Sequence, residues 1–434
     1  MLNFLKPMLL IVWRHLGVRA LVLNFKSAYA IFCWFVYNKK YVVKQVNRDS
    51  HSTKKILIIP SDPELLTASV GDQAMIGSIM DYYLSIDASS VFTFLVANES
   101  VESPVFDSGA LKEIVDTNKL DIKMLWKCAS RGEYSSVVLM GADGLDGTYN
   151  QYFSITQLIL IDIFSRYSYE SVITGFSVSN KIHFFPRIFF RYINKNIRIN
   201  LRDPESYSRF TAKAGVQAHS VVDIAFLLQP MITDEIRSTL NWIANSQSKG
   251  RKVIVLNAHP LLLEQRGKLT KLIEHIAHLV LSISKKEEVS WLLLSHDDRG
   301  DSADAVVLSP LYELLRRNDS LDIVYDKNTF SAREVKAIVS EVDGVITGRM
   351  HLMIACVGMS TPVLGIEYKD KMKGLLDVVG FGANFLIDAN MILTDHDKCV
   401  GRVLDFFNSM TEYKESLIGK HDDILRGSRE NFED

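Results

Sequence analysis

From Lys55 onward, short unbroken apolar runs alternate with longer stretches in which apolar positions recur every three to four residues. The short runs, bounded by Gly, Pro, Asp and Ser, read as strands buried on both faces, and the longer stretches as the helices that cover them. In the first half, strands are expected at 55–59, 91–96, 136–140, 171–175 and 197–201. A second series is expected at 252–256, 291–294, 321–324, 344–346 and 362–366. This alternation predicts an α/β chain with parallel sheets. The helix after position 330 has a defined start, because Ser331 and Glu334 stand at the spacing of a capping box. Between the two series lies 229–250, whose polar end Asn245 to Gly250 reads as a connection. The expected organisation is a segment 1–50, a domain 51–230, a domain 250–410 and a tail 411–434. Two open parallel sheets place their ligand loops at the carboxyl ends of the strands, so a cleft between facing domains is expected.

The first 48 residues depart from this pattern. They hold eight cations (Lys6, Arg14, Arg19, Lys26, Lys39, Lys40, Lys44 and Arg48) and no Asp or Glu, with Trp13, Phe32, Trp34, Phe35 and Tyr37 in the gaps. The longest uncharged run, 27–38, has twelve residues, short of the roughly 20 that span a bilayer as a helix. Arg14, Arg19 and Lys26 also interrupt any signal-peptide core. An interfacial segment on an anionic membrane is the expectation, and a helix packed on the protein's own core is the alternative. On the first reading, a chain beginning near His51 stays folded.

Composition narrows the function classes. At 434 residues, 47% hydrophobic and 23% charged, the chain is globular and of two- or three-domain length. Its net charge of -2 provides no global field for nucleic acid, so any anion must meet a local cluster. Cys33, Cys128, Cys356 and Cys399 are scattered, without zinc-ligand spacing, and read as reduced thiols of a cytosolic protein.

Candidate chemistry gathers at strand ends. In 343–351, Asp-Gly-Val-Ile-Thr-Gly-Arg-Met-His, a buried strand ends, a Gly turn follows, and Arg349 and His351 stand where a helix begins. Backbone N–H groups and the helix dipole favour an anion there. Arg349 adds a two-pronged donor for phosphate or carboxylate, and His351 a group able to titrate near neutral pH. Lys369 and Lys371 return cations to the same edge. A second polar loop, 295–301, offers His296 and Arg299 to a donor phosphate or an acceptor sugar. Its Asp297, Asp298 and Asp301 lack the wider pattern of a metal site, and no metal is expected. His259, in the loop 257–260, is a lesser candidate contact.

These motifs resemble those of the polysaccharide pyruvyl transferase family. The resemblance rests on Arg349-Met350-His351, on the turn Gly358 to Pro362 and on Tyr368-Lys369-Asp370-Lys371. In the first half it rests on Gly71-Asp72, on the turn Gly141 to Gly144, on Arg202-Asp203-Pro204-Glu205-Ser206 and on Asp223-Ile224-Ala225-Phe226. It implies a GT-B-like fold of two Rossmann-like domains, the first serving the acceptor and the second the donor. The implied reaction moves pyruvate from phosphoenolpyruvate onto two hydroxyls of a sugar as a ketal, in bacterial surface polysaccharide (capsule or exopolysaccharide) biosynthesis. Phosphoenolpyruvate is then a co-substrate and no cofactor is needed. On that reading His351 is the proton donor, and Arg349, Lys371 and Arg202 hold the two anionic groups, with His296 and Arg299 beside them. Gly71, Asp72, Asp143 and Tyr368 fall on the acceptor side, with Asp72 or Asp143 taking the hydroxyl proton. The basic, acid-free N-terminal segment makes the inner face of the cytoplasmic membrane the expected place, and the acceptor implied by the resemblance is a sugar or lipid-linked oligosaccharide. Two other readings stay open: a glycosyltransferase using a nucleotide sugar, with Glu367 on the ribose, and a family member that binds a glycan without turnover, because Ala142-Asp143 stands where adjacent glycines are usual.

Overall fold

The computed structural model describes residues 18–40, 54–67, 69–106, 108–116, 120–168, 170–262, 269–327, 330–368, 371–382 and 385–433. The chain forms two compact units, Met1–Leu66 with Tyr83–Val221, and Thr67–Tyr82 with Val222–Asp434.

The first unit is built on seven strands: β1 (Lys55–Ile59), β2 (Val91–Val96), β3 (Leu111–Ile114), β4 (Ser136–Leu139), β5 (Glu170–Phe176), β6 (Arg198–Leu201) and β7 (His219–Ser220). They lie in the order β3-β2-β1-β4-β5-β6-β7, and every pairing is parallel. Ile56, Leu57, Ile58 and Ile59 are all buried, because helices cover both faces and no solvent side is left to alternate with. Two strands were not expected from the sequence. β3 is an exposed-to-half-buried edge of mixed polarity, and β7 has two residues, so neither carries an apolar run.

In the second unit the strands are β8 (Lys252–Asn257), β9 (Val289–Leu293), β10 (Asp322–Tyr325), β11 (Gly344–Thr347), β12 (Val363–Glu367) and β13 (Leu386–Asp388). Their order is β10-β9-β8-β11-β12-β13, again parallel. The winding reverses between β8 and β11, which puts a ligand crevice at the carboxyl ends of those two strands. Only β13, a three-residue edge, was missed by the sequence reading. The capping box forms: Ser331 accepts the Glu334 N–H, and the Glu334 carboxylate accepts the Ser331 N–H at 2.8 Å.

Three expected boundaries differ. The start of the helix Val70–Ile86 belongs to the second unit. Gln73 accepts the Ala332 N–H at 3.2 Å there, and Arg333 grips Asp81 through two bonds of 2.8 and 2.6 Å. Residues 411–434 are no separate tail, because the helix His396–Arg429 runs through them and buries Leu417 and Ile424. Ser428 and Asn431 tie its end to the carbonyls of Asp223 and Val222. The expected connection 229–250 contains the helix Arg237–Ser248, with Ile243 buried.

The helix Val18–Lys40 packs one face into the first unit, where Trp34 is only 4% exposed and its indole N–H donates to Asp162 at 2.8 Å. Its Trp34 therefore belongs to the core and not to an interfacial aromatic set. Trp13 lies outside the described residues. Among the described residues no helix is long and apolar enough to cross a membrane.

Candidate active site

At the reversal point of the second sheet, the loops after β8, β9 and β11 are bound together by one polar network. Asn257, fully buried at the end of β8, donates to the Leu294 carbonyl at 2.9 Å and to Asp304 at 2.7 Å. Its carbonyl oxygen accepts the Thr347 hydroxyl at 3.0 Å, and Thr347 Oγ1 accepts the Arg349 N–H at 2.9 Å. Strand ends this short leave no regular ladder for these groups, so the side chains satisfy one another.

Arg349 is the N-cap residue of the helix Met350–Gly358. Its guanidinium donates to Asp304 Oδ1 through Nε at 2.9 Å and Nη2 at 2.6 Å, and to the Ser302 carbonyl at 2.7 Å. Nη1 lies 3.1 Å from Asp297 Oδ2. Asp297 also takes Arg299, through Nε at 2.9 Å and Nη2 at 2.6 Å. Asp304 accepts the His296 N–H at 2.7 Å as well. The bonds to the Asp304 carboxylate are all accepted, as a carboxylate requires, although burial pushes its carboxyl up against the pull of Arg349. For Asp297 burial acts in the same upward sense, but Arg299 and Arg349 outweigh it and hold the carboxyl below its usual range. Two arginines thus face two aspartates, where the sequence suggested uncompensated cations.

Three imidazoles surround this framework. His259 is fully buried, its Nε2 3.0 Å from the Gly348 carbonyl oxygen and its ring 5.3 Å from Tyr368 in an edge-on contact. Burial first, then Arg349, depress it to about 3. His296 is also depressed to about 3, by burial and then by the facing His351 and Arg349. His351, in the first turn of the helix Met350–Gly358, is half-buried. A Cβ built on Gly71 would stand 2.5 Å from His351 Nδ1, so any larger residue there must displace the imidazole or the helix start. Ser69 accepts the Asp72 N–H at 3.0 Å and donates to its carboxylate at 2.6 Å, while Ser69 and Asp297 form an isolated antiparallel bridge.

The structure therefore brings together Gly71, Asp72, His296, Arg299, Arg349, His351 and Tyr368. Asp72 serves in a helix-start bond with Ser69, and the buried, neutral His296 presents no charge to a donor. Arg202 and Asp143 belong to the first unit, where they form an ion pair with each other, and Arg202 Nε also donates to Ser177 at 2.8 Å. Asp203 caps the helix Pro204–Ala214, and Ser206 accepts the Val178 N–H at 2.8 Å. Lys369 lies outside the described residues, and Lys371 opens the helix Lys371–Val378. Asn257, Thr347 and Asp304 were missed: their roles depend on contacts 37 to 90 residues apart in sequence, and no local spacing announces them. Among the described residues no group of three or more His, Cys, Asp or Glu could hold a metal ion.

Two parallel Rossmann-like sheets with intervening helices, the second carrying a polar site at its reversal point, define the GT-B-like α/β class. The solved structures agree. A putative UDP-N-acetylglucosamine 2-epimerase from Listeria monocytogenes matches with a TM-score of 0.56 at 11% identity, over 87% of this chain and 95% of that one. UDP-GlcNAc 2-epimerase from Neisseria meningitidis, bound to UDP-GlcNAc, matches with a TM-score of 0.51 at 11% identity, over 87% and 99% of the two chains. These likenesses concern the fold alone. The family model for polysaccharide pyruvyl transferase matches residues 14–370, and the chain belongs to that family. No curated protein matches the chain.

Proposed function

We propose that this protein transfers pyruvate from phosphoenolpyruvate to two hydroxyls of a sugar acceptor, forming a cyclic ketal and releasing phosphate. One observation carries the reading: within a chain of this family, His351 stands half-buried in the first turn of the helix that Arg349 caps, its ring packed against Gly71. The reaction needs an acid to protonate the methylene carbon. His351 supplies that proton, and C2 becomes an electrophile. One sugar oxygen bonds to C2, the C2–O bond to phosphate breaks, and the second sugar oxygen closes the ring while both hydroxyl protons leave. Arg349, held in place by Asp304, and Arg299 sit beside the phosphate and carboxylate, with the N–H groups of the helix start and Lys371 completing the anion site. His296 supports His351 as a neutral neighbour. Gly71 gives the ring room, Asp72 takes a hydroxyl proton, and Tyr368 offers its ring to the sugar. In the first unit, Arg202 and Asp143 contribute to donor and acceptor binding once a ligand opens their pair. We place the enzyme at the inner face of the cytoplasmic membrane in surface polysaccharide synthesis, on the strength of its acid-free basic N-terminal segment.

The test is to incubate the purified protein with phosphoenolpyruvate and a panel of sugar acceptors, following phosphate release and the mass gained by each acceptor. Phosphate release coupled to a pyruvylated product is expected. Sugar transfer from a nucleotide sugar, with phosphoenolpyruvate untouched, would replace this reading with the glycosyltransferase one.

A further inference from the structure

The helix Val18–Lys40 has two unlike faces. Inward, Ser27, Ala30 and Trp34 follow one another at i, i+3 and i+7 and are buried. The Trp34 ring meets Phe189 at 4.8 Å, and Gln151 Nε2 donates to Asn24 at 2.9 Å. Asp162, which takes the Trp34 N–H, also accepts the Asn194 N–H at 2.7 Å and pairs with Arg166 at 3.1 Å. This side of the helix is core, and it fixes which side is left outside.

Outward, Phe25, Tyr29, Phe32 and Val36 recur at i, i+4, i+7 and i+11, with Phe35 alongside. Phe25 is 73% exposed, and Tyr29 and Phe32 are each 63% exposed. Isolated surface apolar residues are ordinary, but five large ones on one side of one helix form a patch that marks an interaction surface. Lys26 and Lys39 are exposed beside it, Lys39 lying 4.5 Å over the Phe35 ring. Arg19 and Lys40 belong to the same helix by sequence, and it contains no Asp or Glu.

We propose that this stripe docks on an anionic lipid surface, the aromatic rings entering the boundary between headgroups and acyl chains and the lysines reaching to the headgroup charges. Charge decides for lipid over a second copy of the chain. A symmetric contact through this face would bring acid-free, cation-bearing helices against each other, and like charges in contact oppose association. Anionic headgroups meet both the cations and the rings. The contact deepens the membrane placement given above and does not depend on the donor chosen, so the two can fail separately: vesicle binding reads one, and phosphate release with a water-soluble acceptor reads the other.

The experiment is co-sedimentation of the full-length protein with phosphatidylcholine vesicles, with and without phosphatidylglycerol, at low and high salt. Wild type is expected to bind the anionic vesicles, less at high salt, with a residue of apolar binding that salt leaves. Phe25→Ser with Phe32→Ser should lower affinity by about tenfold or more through lost apolar insertion. Lys26→Glu with Lys39→Glu should do so by about fivefold for each cation removed. All four positions are exposed, but Lys26 Nζ lies 5.4 Å over the Tyr152 ring, so the Phe→Ser variant should keep the wild-type melting temperature and both variants their activity on a soluble acceptor. Equal sedimentation of wild type and both folded variants would overturn the proposal. So would a wild type that ignores vesicles but is a dimer by light scattering and turns monomeric in the Phe→Ser variant, which would make the stripe a contact between copies.

Discussion

Replacing Gly71 with Ala puts a methyl where the His351 ring stands, 2.5 Å from Nδ1, so the imidazole must turn or the helix start must shift. Turnover should fall by about 10²-fold, as it does when a reacting group is displaced by an ångström, while circular dichroism shows a folded protein. His351→Ala should lower kcat by about 10² to 10⁴ with little change in donor affinity, and near-normal turnover would return the residue to a structural role. Arg349→Ala is not a simple binding probe. It removes the counter-charge of Asp304, which is buried, and should destabilise the fold by about 3–5 kcal/mol in urea titrations. The two buried imidazoles set a pH dependence. His259 and His296 have folded values near 3 against 6.5 unfolded, so the unfolded chain takes up protons that the folded chain refuses. Their stabilising effect is complete above 6.5 and lost as pH falls from 6.5 toward 3, by up to about 1.4 kcal/mol per pH unit for each ring. Urea midpoints measured between those limits should fall less steeply in His296→Asn than in wild type.

At the scale of elements, the Ser331 cap shows how far a local pattern carries. Its spacing to Glu334 was legible because the capping box is made of four consecutive residues. Ser331→Ala should lower stability by about 1 kcal/mol without changing the denaturant slope. The N-terminal helix shows the opposite. Its apolar residues were legible, but not which of them face inward, since aromatic positions surround much of the helix. With Trp34 and Ala30 in the core, a chain starting at His51 should be less stable, by about 3–5 kcal/mol for the loss of the Trp34 side chain alone. Thermal melts of full-length and truncated protein check this, and equal melting temperatures would show that the helix adds nothing to the first unit. Strands β3, β7 and β13 escaped the sequence reading because the first is exposed to half-buried and the other two, of two and three residues, are too short to show an apolar run.

For the whole molecule, ligand linkage separates the candidate donors. Phosphoenolpyruvate at about a hundred times its dissociation constant should stabilise the native chain by about 2.7 kcal/mol and raise its melting temperature accordingly. Nucleoside diphosphates should leave the melt unchanged. Stabilisation by the diphosphates alone would favour sugar transfer, which the fold by itself permits, because two sheets of this type serve several chemistries.

Ten of the thirteen strands among the described residues were determined by sequence alone, most of them because a strand covered on both faces must be apolar throughout and is recognisable without its neighbours. The position of Arg349 and His351 at a helix start was also local, since a Gly turn after a buried strand fixes it within a few residues. Strand order and the reversal between β8 and β11 came only with the tertiary structure, as did the placement of residues 67–82 with the second sheet. The balance of charge was decided there too. Arg349 looks like a free cation in sequence, yet Asp304, forty-five residues away, occupies its guanidinium. Charge pairing depends on distances in space, and the chain encodes those only through the packing of the whole unit.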